Sequence, residues 1–243
     1  MPEGPPQAPD VWVILPTYNE AENLERIVAA VLDQLPDSRR VLIVDDNSPD
    51  GTGEIADRLA EHDADSVEVL HRRRKEGLGP AYLAGFRVAL EGGAQRIIEM
   101  DADFSHDPSY LPALIEATEG ADLAIGSRYV PGGGVTEWGP LRRFISRGGS
   151  AYARAALGLP VKDLTGGFKC FRRIVLETID LDTIEARGYA FQVETTYRAI
   201  KEGFRVVEVP IVFKDRVDGT SKMSKAIVAE AMWRVPAMRF RRW

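Results

Sequence analysis

The sequence predicts an α/β protein built on a Rossmann-like, mostly parallel sheet flanked by helices, with further helices on its C-terminal side. Short β-branched apolar runs alternate with helix-length amphipathic stretches from residue 11 onward. Those runs are almost continuously apolar, as strands covered on both faces must be. The residues immediately after most runs are strongly polar, which places a candidate site at the carboxyl ends of the strands.

Residues 11–15, 41–44, 67–70, 96–100 and 123–125 are the five strands expected before residue 128. Leu24, Ile27, Val28, Val31, Leu32 and Leu35 recur at helical spacing and define the first helix, with Asn19 and Glu22 read as a capping box. Residues 52–61, 78–90 and 108–119 supply the remaining crossover helices. The Gly- and Pro-rich stretch VPGGGVTEWGP, residues 130–140, reads as a mobile loop inside one domain, ordered when substrate binds. A helix at 141–157, a DLTGGFKCF segment, a helix at 189–201 and a strand at 205–213 follow. We divide the chain into a disordered tail at 1–9, a folded α/β domain at 10–225 and an amphipathic basic segment at 226–243 that is too interrupted to span a bilayer.

Composition narrows the function. The chain has 243 residues, 44% hydrophobic and 28% charged, which excludes a disordered, charge-dominated segment. The single cysteine, Cys170, excludes an internal disulfide and CxxC chemistry and reads as a small core residue in a reducing compartment. Neither a signal peptide nor a membrane span is expected. The net charge of −6 conceals an asymmetry: residues 1–127 carry 10 basic against 25 acidic side chains, and the remainder carries 21 against 12. An acidic half suits a divalent cation and a basic half suits phosphates or an anionic membrane, although solvated surface alone also produces such an imbalance.

The polar strand ends carry the chemistry. Pro16, Tyr18, Asn19 and Glu20 follow the first strand; Asp45, Asp46 and Ser48 the second; Asp101, Ala102 and Asp103 the fourth; Ser127 and Arg128 the fifth. So many carboxylates at one rim repel unless a cation or a donor-rich ligand neutralises them. Asp101 and Asp103 form a DxD pair at a strand end, where alternate side chains share a face. Hard oxygen donors suit Mg²⁺ or Mn²⁺. A dinucleotide fold fits poorly: GLGPAYLAG follows the third strand, and Tyr82 occupies the position a third fingerprint glycine would need.

The ordered series PTYNE, VDDNSPDGT, MDADFSHDP, GSRY, ISRGGS, DLTGGFKCF and FKDRVDGTSKM resembles family 2 inverting glycosyltransferases of the GT-A fold, in particular the polyprenyl-phosphate (dolichol-phosphate) mannose synthase group without transmembrane helices. The resemblance runs over residues 11–225. It implies that Pro16, Tyr18, Glu20, Asp45 and Asp46 hold the guanosine and ribose of GDP-mannose, with Ala102 in the same binding segment. Asp101 and Asp103 would bind the cation, and Ser105, where some relatives carry Gln, would reach it through water. Arg128, Arg142 and Ser146 would clamp the acceptor phosphate, while Arg216, Lys222 and Lys169 would close on the donor diphosphate.

Residue chemistry agrees with that implication. Arg142 and Ser146 lie four apart and share one helix face, and an arginine fork with a hydroxyl suits a phosphate monoester. Read alone, Arg142, Arg143 and Arg147 serve equally well as a solvated face. A phosphate nucleophile is already anionic, so no catalytic base is required, and His62, His71 and His106 offer none; His106 reads as a neighbour of the DxD pair or a surface residue. Asp163 and Glu194 read as structural caps. A lipid acceptor implies residence at the cytoplasmic face of a membrane, through Trp233, Arg239 and Trp243 or a separate anchoring protein; no nucleic-acid partner is expected. A UDP-glucose-dependent transferase and a non-catalytic nucleotide-binding protein are the alternatives.

Overall fold

In the computed structural model, the described residues are 10–186, 188–214 and 225–241, the side chains of 225–231 excepted. Strands β1 (Val11–Thr17), β2 (Arg39–Asp45), β3 (Val67–His71), β4 (Arg96–Glu99) and β5 (Leu123–Ser127) lie within two residues of their expected ends. Helices α1 (Leu24–Gln34), α2 (Thr52–His62), α3 (Leu78–Glu91) and α4 (Leu111–Ala117) form the crossovers. Then come β6 (Gly134–Val135), α5 (Pro140–Leu157), β7 (Lys169–Arg172), α6 (Arg173–Thr178), α7 (Gly188–Lys201), β8 (Val206–Pro210), β9 (Val212–Phe213) and α8 (Lys225–Met238).

Seven strands form the main sheet in the order β3-β2-β1-β4-β7-β5-β8. All its pairs are parallel except those of β7, which runs antiparallel to both β4 and β5. That reversal makes the chain enter β7 at the carboxyl rim, so Gly166, Gly167 and Phe168 join the strand ends where the polar residues sit.

Period-two alternation divides each central strand between two cores. Trp12, Ile14, Leu42 and Val44 pack with Tyr82, Phe86 and Phe191, whereas Val13, Leu15, Val41 and Ile43 pack with Leu24, Ile27, Val28, Leu111 and Leu114. Burial of both faces explains why the strands read as unbroken apolar runs. Cys170 lies fully buried in the second core, as expected.

Three local expectations are corrected. Helix α1 begins at Leu24, with Asn23 at the cap position making no side-chain cap bond. Asn19 instead adopts φ 58°, a left-handed conformation that asparagine tolerates, so the proposed capping box does not form. The 130–140 stretch is not wholly irregular: β6 pairs in parallel with β9, and Trp138 is buried. The expected strand at 205–213 is correspondingly split at Ile211, with β8 serving the main sheet and β9 the small one.

Helix α3 lies close on the sheet because Gly85 carries no side chain. A Cβ there would stand 2.5 Å from Ile14 Cγ2 and 3.2 Å from Val44 Cγ2. Gly85→Val should therefore destabilise the protein by about 2 kcal/mol or more through overpacking. Urea unfolding checks this; a change below about 0.5 kcal/mol, the ordinary scale of a surface substitution, would contradict the close contact.

Candidate active site

The tips of β3, β2, β1 and β4 are neighbours and form one side of the rim. Thr17 Oγ1 donates to Asp45 Oδ1 at 3.2 Å, and Asp45 also accepts from Ser48 N–H at 3.1 Å and Ser48 Oγ at 2.5 Å. Asp45 is thus committed to the turn between β2 and α2. Asp46, also buried, pairs with Arg72, which in turn bonds Glu76 at 2.6 Å. Burial raises the Asp46 pKa, against the Arg72 charge and the N–H groups of Glu76 and Gly77. Gly77 holds φ 106° at the start of α3, a conformation suited to glycine. Tyr18 is half-buried with Lys75 Nζ 3.6 Å from its ring centre, and Glu20 N–H donates to Thr52 Oγ1 at 3.0 Å. Pro16 lies at the end of β1, paired with Val44. The basic run that begins at Arg72 is therefore part of this wall, a role its position before α3 did not reveal.

The DxD segment follows β4 as a tight turn. Ser105 N–H donates to Asp103 Oδ1 at 3.0 Å, and Phe104 takes φ 60°, a costly conformation for an aromatic residue. Asp101 N–H donates to His106 Nδ1 at 3.0 Å, which places the His106 proton on Nε2. Burial lowers the His106 pKa, and the ring stacks on Phe168, so His106 is an interior prop and not a surface residue. Tyr82 Oη donates to Asp101 Oδ1 at 3.3 Å. Asp103, Ala102 and Ser105 are buried, while Asp101 is half-buried. Among the described residues no group of three His, Cys, Asp or Glu side chains forms a complete metal cage. An all-oxygen pair at a strand end nevertheless fits a hard divalent cation that completes its shell with water and substrate phosphate.

Beyond β7 the rim becomes basic. Arg128 is buried and forked on Asp163, with Nε to Oδ2 and Nη2 to Oδ1 both at 2.7 Å, and Nη2 also reaches Thr165 Oγ1 at 2.9 Å. Burial pulls its pKa down, but the Asp163 charge and hydrogen bonds prevail and raise it. Asp163 is thus more than a cap: it fixes Arg128, whose guanidinium lies 5.7 Å from the Trp138 ring. Arg142, on α5, stands 4.3 Å from the same ring, and Tyr129 Oη donates to Ser146 Oγ at 2.6 Å. Arg128, Arg142 and Ser146 are therefore brought together around Trp138 and Tyr129. Sequence reasoning did not assign either aromatic; the signal was a tryptophan inside a glycine-rich stretch and the tyrosine of GSRY.

Lys169 does not belong to the donor-facing set. It is fully buried and donates to Gln192 O at 2.7 Å, Gln192 Oε1 at 2.6 Å and Thr195 Oγ1 at 3.1 Å. The β7 register turns it inward beside Glu99. Glu194 forms a buried ion pair with Arg198. Arg216, Lys222 and Trp243 lie outside the described residues, as does the 1–9 tail.

The profile of glycosyl transferase family 2 matches residues 12–180, and the chain belongs to that family. It is 52% identical over 224 residues to a polyprenol monophosphomannose synthase of Mycolicibacterium smegmatis, covering 92% of this chain and 84% of that one. An undecaprenyl-phosphate mannosyltransferase of Micrococcus luteus is 53% identical over 222 residues, covering 91% and 90%. A solved structure of Mycobacterium tuberculosis glucosyl-3-phosphoglycerate synthase with Mn²⁺, UDP-glucose and phosphoglyceric acid superposes with TM-score 0.65 at 18% identity, over 93% of this chain and 79% of that one. Its likeness establishes the shared GT-A architecture. The protein is a glycosyltransferase.

Asp163→Ala would leave Arg128 buried and uncompensated. It should cost about 3–5 kcal/mol in stability, read from the denaturation midpoint. An unchanged midpoint would contradict the structural weight given to the pair.

Proposed function

We propose that the protein transfers mannose from GDP-mannose to a polyprenyl phosphate with inversion, giving polyprenyl-phosphate β-mannose and GDP. The observation that carries this reading is the split rim, with the DxD turn on β4 and the Arg142–Ser146 face of α5 on opposite sides of the β7 entry. The names of the two half-identical relatives support a mannosyl donor and a lipid phosphate acceptor. Guanine as the base rests on the sequence resemblance at Tyr18, Glu20 and Asp46.

Catalysis on this reading is alignment and charge stabilisation. The acceptor phosphate oxygen attacks the anomeric carbon from the face opposite the leaving group, and the departing electron pair stays on the β-phosphate of GDP. Asp101 and Asp103 would hold Mg²⁺ or Mn²⁺, with Ser105 fixing Asp103 through its N–H. That cation supplies charge neutralisation at the leaving diphosphate. Arg142 and Ser146 hold the nucleophile, and Arg128, braced by Asp163, shapes the aromatic wall beside them. Arg216 and Lys222 complete the donor side by resemblance.

The acceptor places residues 10–225 at a membrane as the catalytic domain. Helix α5 exposes Leu141, Phe144 and Ile145, and the C-terminal segment exposes Met232, Trp233 and Phe240. A cavity of about 470 Å³ beside α5, lined in part by Trp138, Arg143, Phe144 and Arg147, suits an apolar chain ending in an anion. These features support a peripheral position at a membrane, directly or through an anchoring protein, and the cytoplasmic face rests on the resemblance alone. Helix α8 also buries Val235 and Met238 and accepts a 2.7 Å hydrogen bond from Tyr152 Oη at Met232 O, so the basic segment is docked as well as exposed. No helix among the described residues is long and apolar enough to cross a membrane.

Mass spectrometry of products from vesicles containing polyprenyl phosphate tests the reading. GDP-mannose with Mg²⁺ or Mn²⁺ should give lipid-linked mannose; transfer from UDP-glucose alone, or nucleotide binding without transfer, would overturn it. Asp103→Ala should lower turnover by about 10²–10³-fold with the fold intact. Arg142→Ala should raise the lipid-phosphate KM by about 10-fold or more, as loss of a charge-assisted bond implies, and leave the donor KM within about twofold. A selective loss of donor affinity would contradict the acceptor assignment.

A further inference from the structure

Glu99 and Lys169 stand opposite each other in the antiparallel β4–β7 register, and both are fully buried. Side chains at directly opposed positions share one face of the sheet. Among the described residues the Glu99 oxygens and Gln192 Nε2 are buried with no partner at full hydrogen-bonding geometry, and the Gln192 amide is the polar group that faces Glu99 from α7. The charged and polar groups that act on Glu99 are Lys169 from β7, Gln192 from α7, and Asp101 two residues further along its own strand end. Tyr82, from α3, senses Glu99, Asp101 and Asp103 together and is stacked on Phe191 of α7. The tip of β4 thus carries three carboxylates at alternate positions 99, 101 and 103, the first in the protein interior. Burial of such a charge is strongly unfavourable without a compensating partner.

Lys169 is the cation in position to supply that compensation. Its ammonium is locked to the Gln192 carbonyl, the Gln192 amide oxygen and Thr195, all on α7. Burial lowers the Lys169 pKa to about 8, against the charges of Glu99 and Asp163; burial also raises Glu99 to about 7, against the charge of Lys169. Burial drives both shifts, and each charge partly offsets the shift of the other.

We propose that Lys169 is a positioning residue for the donor site: fixed by α7, its charge offsets Glu99 and allows the end of β4 to present Asp101 and Asp103 to a divalent cation. The proposal rests on the DxD pair being the cation site, and it replaces direct contact between Lys169 and the diphosphate. It also gives a reason for the reversed strand: an antiparallel β7 places Lys169 at the level of Glu99.

The test uses the full chain and Mn²⁺ binding in the presence of GDP, followed by electron paramagnetic resonance, alongside thermal melting and separate donor and acceptor KM values. Lys169→Met should weaken Mn²⁺ binding by about 10-fold or more, the range seen when a group supporting a metal ligand is lost. The donor KM should rise while the acceptor KM stays within about twofold. Adding Glu99→Gln should return the Mn²⁺ affinity to within about threefold of the wild type, because the double variant restores charge balance. Recovery of melting temperature alone, with Mn²⁺ binding still weak, would overturn the proposal in favour of a diphosphate contact. A folded Lys169→Met protein with unaltered Mn²⁺ affinity would also overturn it. If Lys169→Met alone does not fold, comparison of the double variant with wild type decides by the same criterion. Failure of the wild type to bind Mn²⁺ with GDP would instead overturn the DxD assignment, and this proposal with it.

Discussion

Like charges gathered at the ends of parallel strands must be balanced, and most of the site's architecture answers that need. On the outer side, Arg72 neutralises Asp46, and Asp45 is absorbed by Thr17 and Ser48. On the far side, Asp163 is matched by Arg128. In the centre, the tip of β4 carries Glu99, Asp101 and Asp103, with Lys169 beneath and a tyrosine hydroxyl and a backbone N–H among the donors above. The fixed cations are therefore committed unevenly along one rim, and the proposed function assigns its acidic part to a metal-bound diphosphate and its basic part to a phosphate acceptor.

The reversed strand makes this arrangement possible. Inserted between β4 and β5, β7 separates the acidic tips from Arg128 and feeds Gly166, Gly167 and Phe168 into the gap. Phe168 supports His106, which accepts the Asp101 N–H, so the segment entering β7 and the DxD turn are mechanically joined. Trp138 performs the corresponding task further along, with Arg128 and Arg142 both against its ring. The small β6–β9 sheet holds that tryptophan in place through the Phe213 ring, 5.4 Å away.

The first five strands and the crossover helices were legible because their signals are local: apolar runs, helical periodicity and polar strand ends. Strand β7 was not legible, since four residues, KCFR, gain strand character only from two partners distant in sequence. The same is true of β6, whose partner β9 lies beyond α7. Lys169, which the resemblance grouped with the donor-diphosphate residues, is turned inward by the β7 register, and that register depends on partners distant in sequence. Asn19 and Glu22 had the spacing of a helix start, but the tight turn at Glu20 delays the helix to Leu24. The placement of Asp101 and Asp103 just past a strand and of Arg142 and Ser146 on one helix was readable because each depends only on its own strand end or helix repeat.

The central claim is that the β4 carboxylates bind the donor through a divalent cation. Isothermal titration of GDP-mannose into the protein, with Mn²⁺ and then with the cation removed by chelator, measures this directly. The account predicts binding that weakens by about 10-fold or more on chelation, as loss of the largest local charge in the site implies. Equal affinity in both conditions would contradict it.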